Sequence, residues 1–157
     1  MENKKEKILS PKLNDRVPFF LSIIILSYFF YGFYSDENSA GAGGYNGDFK
    51  LIWDNLILLK EGIILNLNSP DYSDSRPPLS YILHIYLNPF INNQEEFRIS
   101  NLIISLLVPI LLYFSIKEKY GFLNKNFIIL LSTIVTLSPY FRTTAYWSLG
   151  ENYGYIF

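Results

Sequence analysis

The sequence predicts an all-α, polytopic membrane protein with transmembrane helices and interfacial helices in a long first external loop. Three observations lead there. The apolar residues, 50% of the 157-residue chain, are blocked into long uncharged runs rather than dispersed. Basic side chains gather beside some of these runs and acidic ones beside others. Between the runs lies a stretch whose apolar residues recur at helical spacing.

Residues 1–16 carry five basic side chains against three acidic ones and read as a cytoplasmic tail. Residues 17–34 follow without a charge, close to the roughly twenty apolar residues that cross a bilayer core. The run is long for a signal-peptide core, and bulky Tyr31, Phe33 and Tyr34 stand where a cleavage site would need small residues. It therefore reads as a signal anchor, transmembrane helix 1.

Residues 35–98 hold four basic side chains against nine acidic ones, and residues 117–125 hold three against one. By the positive-inside rule the first segment is external and the second cytoplasmic. Within the external loop, Gly41, Gly43, Gly44 and Gly47 form a turn, after which a helix is expected over 48–61. Phe49, Ile52, Trp53, Leu56 and Leu59 share one face of it. Asp48 stands where a carboxylate caps a helix start, and Gly62 suits its end. The apolar face fits either the lipid interface or a packed protein surface. A second interfacial helix is expected over 78–91, with Pro77 and Pro78 in its first turn. Its apolar stretch is short for a span and is interrupted by His84, Asn88 and Pro89. A crossing there would also put the basic loop outside. A short transmembrane helix is the alternative.

Transmembrane helix 2 is expected over 99–116, a cytoplasmic loop over 117–126 and transmembrane helix 3 over 127–141. An external segment, 142–157, enters a fourth helix. The absence of cysteine excludes disulfides and thiolate metal sites. The external face then gathers Asp36, Glu37, Asp48, Arg76, His84, Arg98, Arg142 and Glu151. Ionisable groups at membrane ends are functional candidates. Arginines beside carboxylates suit a phosphate-bearing substrate, with the cations on the phosphate and a carboxylate taking a proton from an attacking hydroxyl.

The order of these features resembles the N-terminal part of integral-membrane glycosyltransferases of the GT-C fold, such as protein mannosyltransferases and the lipid A aminoarabinose transferase. The resembling elements are the basic tail and first span, the acidic start at Asp48 of a helix ending Leu58-Leu59-Lys60-Glu61-Gly62, and Arg76-Pro77-Pro78-Leu79. They continue with Glu95-Glu96-Phe97-Arg98, the basic turn at 117–121, and Ser138-Pro139-Tyr140-Phe141-Arg142 followed by Glu151. The resemblance implies transfer of a sugar from a polyprenyl-phosphate-linked donor to a glycan, lipid or protein acceptor on the extracytoplasmic face, in a bacterial plasma membrane rather than endoplasmic reticulum. It implies membrane lipids but no nucleic acid as partners. It makes Asp48 and Glu151 catalytic carboxylates and Arg76 and Arg98 the phosphate holders. Asp36, Glu37, His84 and Arg142 are further substrate-binding candidates. A divalent metal is compatible with this chemistry and is not required by the sequence.

Relatives often open the first helix with an adjacent acidic pair, whereas position 49 here is phenylalanine, so Asp36-Glu37 is the alternative first acidic site. Relatives usually have aspartate where Glu151 stands. Enzymes of this fold have more spans than three, so the chain is expected to be a fragment that is inactive alone, with a small protein that borrows the module as the alternative. The competing class is a non-catalytic polytopic membrane protein: a transporter, a flippase or a polysaccharide-polymerase component.

Overall fold

The computed structural model describes residues 16–38, 48–73 and 78–156, and every regular element among them is helical. α1 (Arg16–Tyr34) is followed by α2 (Lys50–Glu61), α3 (Ile63–Asn66) and α4 (Leu79–Leu87). α5 (Gln94–Ser105) and α6 (Leu107–Lys119) run on from one another. α7 (Lys125–Thr133) passes through a 3₁₀ turn, Ile134–Leu137, into α8 (Pro139–Tyr146), and a 3₁₀ segment, Gly150–Tyr155, follows.

Among the described residues, two helices are long and apolar enough to cross a membrane. They are α1, with 19 residues, and the α5–α6 pair, with 26 residues over Gln94–Lys119. Lys125–Leu137 and Pro139–Tyr146 would make a third if taken as one broken span. α1 packs on α7, α7 on α6, α5 on α8 and α2 on α4.

Element boundaries follow local chemistry, and several differ from those expected. The second apolar helix starts at Gln94 rather than 99. The Asn93 side chain accepts from the Glu96 N–H at 2.9 Å and donates to the Glu96 carboxylate at 3.0 Å, a reciprocal cap. This brings Arg98 inside the helix. The break at Leu106 lies three residues before Pro109, whose missing N–H leaves the Ser105 carbonyl without its helical donor. The third apolar helix turns by 73° within the expected 127–141. Ser138 is extended there, Pro139 opens α8, and the Ser138 hydroxyl accepts from the Phe141 N–H at 3.4 Å.

α4 ends at Leu87, short of the expected 91, because Asn88 is extended and precedes Pro89. Asp48 is not the side-chain cap of α2: the helix is preceded by Phe49 in helical conformation, and no side-chain cap forms there. Residues 150–155 form a 3₁₀ segment.

Several helices bury polar side chains and expose large apolar ones. α5 buries Arg98, Ser100, Asn101 and Ser105 while Ile99 and Ile103 are exposed. α4 buries His84 and exposes Leu79, Leu83, Tyr86 and Leu87. α1 and α6 likewise expose Phe20, Ile24, Ile110 and Phe114. Large apolar side chains exposed along four helices, with polar groups buried beside the aromatic core, suit a hydrocarbon surround. The apolar face of α2 is the exception. Phe49, Ile52, Leu56 and Leu59 are buried in the core, and Trp53 packs on Phe97 at 5.8 Å between ring centroids. Of the two settings for this helix, its stripe is engaged by protein.

The core gathers Phe29 and Phe33 of α1, Phe97 of α5, and Phe141, Tyr146 and Trp147 at and after α8. Phe29 is fully buried, with Tyr146 at 5.2 Å and Phe141 at 6.0 Å. Phe29→Ala is therefore expected to cost about 3–5 kcal/mol, whereas Ile24→Ala, on the exposed face of the same helix, should stay within about 0.5 kcal/mol. Unfolding in mild detergent, followed by circular dichroism, measures both. Equal costs would show that α1 has no preferred packing face.

Candidate functional site

The site begins at the C-terminus of α1. The Glu37 N–H returns to the Gly32 carbonyl at 2.9 Å and the Asp36 N–H to the Phe33 carbonyl at 3.2 Å. This is a Schellman end with Asp36 at the left-handed position (φ 54°), a conformation that aspartate tolerates better than most residues. The turn points two adjacent carboxylates back towards the bundle, where each meets an arginine from a different helix.

Arg98 of α5 pairs with Asp36 at 2.9 Å and with Glu95 at 3.2 Å, and its Nε donates to the Tyr146 carbonyl at 3.0 Å. Its guanidinium lies 4.0 Å from the Trp147 ring centroid and 5.0 Å from that of Phe33. Arg142 of α8 pairs with Glu37, donates to the Tyr146 hydroxyl at 3.1 Å and stacks 4.0 Å over Tyr28. The Tyr146 hydroxyl in turn donates to the Phe29 carbonyl, and the Trp147 indole N–H to the Glu37 carbonyl at 2.9 Å. The two pairs differ in setting. The Asp36 side chain is 66% exposed, whereas Glu37 is 24% and Arg142 only 4% exposed. In the first pair the carboxylate alone reaches solvent, since the Arg98 side chain is 11% exposed. The second is held in the interior, where an isolated charge would be costly.

Gly32 makes the second pair possible. A Cβ built there would lie 2.6 Å from Arg142 Nη2 and 2.7 Å from both Glu37 Oε2 and the Tyr146 hydroxyl oxygen. The helix has to present bare backbone at this point.

Asp48 is exposed and adjoins the cluster only through its chain neighbour Phe49, whose ring packs on Trp147 at 6.1 Å between centroids. Arg76 lies outside the described residues. His84 and Glu151 belong to a second neighbourhood, a cavity of about 670 Å³ between α4, the α5–α6 junction and the 3₁₀ segment 150–155. Leu79, Leu83, Leu87, Ile104, Leu107 and Ile156 line most of it; the polar part comes from Ser80, His84, Asn88, Glu151 and Tyr153.

The protonation pattern of His84 follows from its neighbours. The Asn88 carbonyl oxygen accepts from the Phe90 N–H at 2.9 Å, so its amide nitrogen faces the Ser100 hydroxyl at 2.8 Å and His84 Nδ1 at 3.0 Å. Nδ1 is thereby the acceptor, and Nε2–H donates to the Tyr153 hydroxyl at 2.7 Å. The Tyr153 hydroxyl in turn donates to Asn101 Oδ1. Burial lowers the His84 pKa to about 4 and pushes the Tyr153 hydroxyl up.

Asp36, Glu37, Arg98 and Arg142 thus come together through direct contacts, Asp48 stands beside them, and His84 and Glu151 share the cavity wall. Gly32, Asn101, Tyr146, Trp147 and Tyr153 are participants the sequence reading did not single out. One signal was there: Arg98, Asn101 and Ser105 stand at i, i+3 and i+7 at the start of an apolar run, a polar stripe on one helical face. Among the described residues no group of three or more His, Asp or Glu side chains is placed to hold a metal ion. Comparison with protein-family models, curated proteins and solved structures finds no match to this chain.

The His84 environment sets a pH dependence. The ring titrates near 6.5 when unfolded and near 4 when folded, so between these values the unfolded chain binds more protons. Its contribution is complete above about pH 6.5, falls as the pH drops, and is lost below about pH 4; the full amplitude is roughly 3 kcal/mol. Denaturation in detergent at pH 7 and pH 4.5 should show a larger acid loss for the parent than for His84→Gln. Equal losses would contradict the neutral, buried ring.

Proposed function

We propose that the chain is a polytopic membrane module, with its N-terminus cytoplasmic, from a glycosyltransferase that uses a polyprenyl-phosphate-linked sugar on the extracytoplasmic face. The observation that supports this best is the meeting of arginines and carboxylates at the end of α1. Asp48 stands exposed beside it, and a largely apolar cavity nearby carries Glu151 in its wall. The large apolar side chains exposed along α1, α4, α5 and α6 support the membrane setting.

Each group has a role in that chemistry. A hydroxyl of the acceptor attacks the anomeric carbon, and Asp48 or Glu151 takes its proton. As the bond to the phosphate breaks, cations stabilise the departing charge. Arg98 suits that role because Asp36, its exposed partner, can give way to a phosphate oxygen; Arg76 is the second cation. Arg142 is different. Its interior pair with Glu37 makes it part of the frame that orients the site.

A non-catalytic membrane protein is the second reading. It is favoured by the same ion pairs, which satisfy Arg98 and Arg142 within the chain itself.

The two readings separate in cells whose own gene carries Asp48→Asn or Glu151→Gln. Transfer from a polyprenyl-phosphate-linked radiolabelled hexose into membrane glycan should fall at least about 100-fold for the substitution that removes the base, the usual weight of that group. The amount and thermal stability of the protein should be unchanged. Transfer at the parental rate in both variants would support the non-catalytic reading.

A further inference from the structure

The 3₁₀ segment Gly150–Tyr155 is held from two sides. Asn152, almost fully buried, donates to the Ser105 hydroxyl at 3.0 Å and to the Phe141 carbonyl at 3.2 Å. One residue on, Tyr153 reaches across to His84 of α4 and Asn101 of α5. Beyond Tyr153, Gly154 has open space around the position of a Cβ. Asn152 is thus a pivot and Tyr153 a tie, and the segment between α4 and α5 carries Glu151 into the cavity wall.

We infer that His84 and Tyr153 form a proton-operated latch that fixes the 3₁₀ segment 150–155, and Glu151 with it, against α4 and α5. The hydrogen-bond directions permit one state of the ring. Asn88 presents its amide N–H to Nδ1 because Phe90 holds its carbonyl oxygen. A proton on Nδ1 would set donor against donor. Phe90 and Ser100 hold the Asn88 amide in place, so the ring must turn, and that movement breaks its bond to Tyr153. No neighbouring charge outweighs the burial of the ring. α5 faces the ring with Phe97, Ser100 and Asn101, and α2 contributes Ile52 nearby. Among the described residues lining the adjoining cavities, the titratable groups besides His84 are Tyr81 of its own helix and Glu151 and Tyr153 of the 3₁₀ segment. Burial alone accounts for the low pKa of the ring, so release belongs at about pH 4.

The latch stands without the transfer reaction; its consequence for Glu151 rests on the reading of that carboxylate as part of the transfer site. The test therefore reads motion, not activity. The chain has no cysteine, so a nitroxide label on a Gly154→Cys variant reports a single position. In detergent, the label's electron paramagnetic resonance spectrum should be immobile at pH 7 and become mobile with a midpoint near pH 4. Helicity by circular dichroism should stay constant. Adding His84→Gln, whose amide cannot take up the proton, should remove the transition and leave the label immobile. Adding Tyr153→Phe should leave it mobile at every pH. Two results would overturn the latch: an unchanged transition in the His84→Gln background, or an immobile label at pH 7 in the Tyr153→Phe background. If His84→Gln loses helicity, the Tyr153→Phe comparison decides the matter by itself.

Discussion

Two guanidinium groups within an aromatic and apolar core are the constraint on which the rest of the arrangement depends. Arg98 and Arg142 sit among Tyr28, Phe33, Tyr146 and Trp147. A charge in such surroundings is stable only beside a counter-charge and with its N–H groups satisfied. The turn after α1 supplies both counter-charges from consecutive residues. The chain thereby ties the end of α1 to α5 through Asp36 and to α8 through Glu37. Tyr146 joins the two halves, receiving one arginine on its carbonyl and the other on its hydroxyl. Gly32 supplies the space, Trp147 closes the cluster with a bond to the Glu37 carbonyl, and α2 packs Phe49 against the same indole.

This gives the two acidic sites weighed from the sequence different physical characters. Asp36 and Glu37 are engaged with arginines, the more deeply held pair being the more structural. Asp48 remains at the surface, where it is neither a helix cap nor part of a described ion pair. A carboxylate that takes a proton from a substrate has to be reachable, and Asp48 satisfies that condition more simply. Glu151 meets it differently, from a cavity wall whose position depends on Asn152 and the His84–Tyr153 contact.

The helices were legible where the pattern is one-dimensional. The 17–34 run becomes α1 nearly residue for residue, and the spacing of Phe49, Ile52, Leu56 and Leu59 marks the buried face of α2. Boundaries were less legible where a single side chain decides them. The reciprocal Asn93–Glu96 cap extends α5 by a turn, and Ser138-Pro139 redirects the third apolar helix. The site was partly legible. Its charged members stand out against the apolar runs, but their pairing does not, since Asp36 meets Arg98 and Glu37 meets Arg142 across 62 and 105 residues. Tyr146, Trp147 and Tyr153 were hidden by their chemistry. In an apolar chain rich in tyrosine, a hydroxyl that holds two helices together looks like any other aromatic residue.

The central claim, that the Glu37–Arg142 pair holds α1 to α8, is tested most directly by a double-mutant cycle with Glu37→Gln, Arg142→Met and the double variant. Unfolding free energies in detergent provide the readout. Each single substitution is expected to cost about 3–5 kcal/mol because it strands a charge in the interior. The double variant should cost clearly less than their sum, with a coupling energy of at least about 1 kcal/mol. Additive costs would contradict the account, because they would mean that the two side chains stabilise the fold independently of each other.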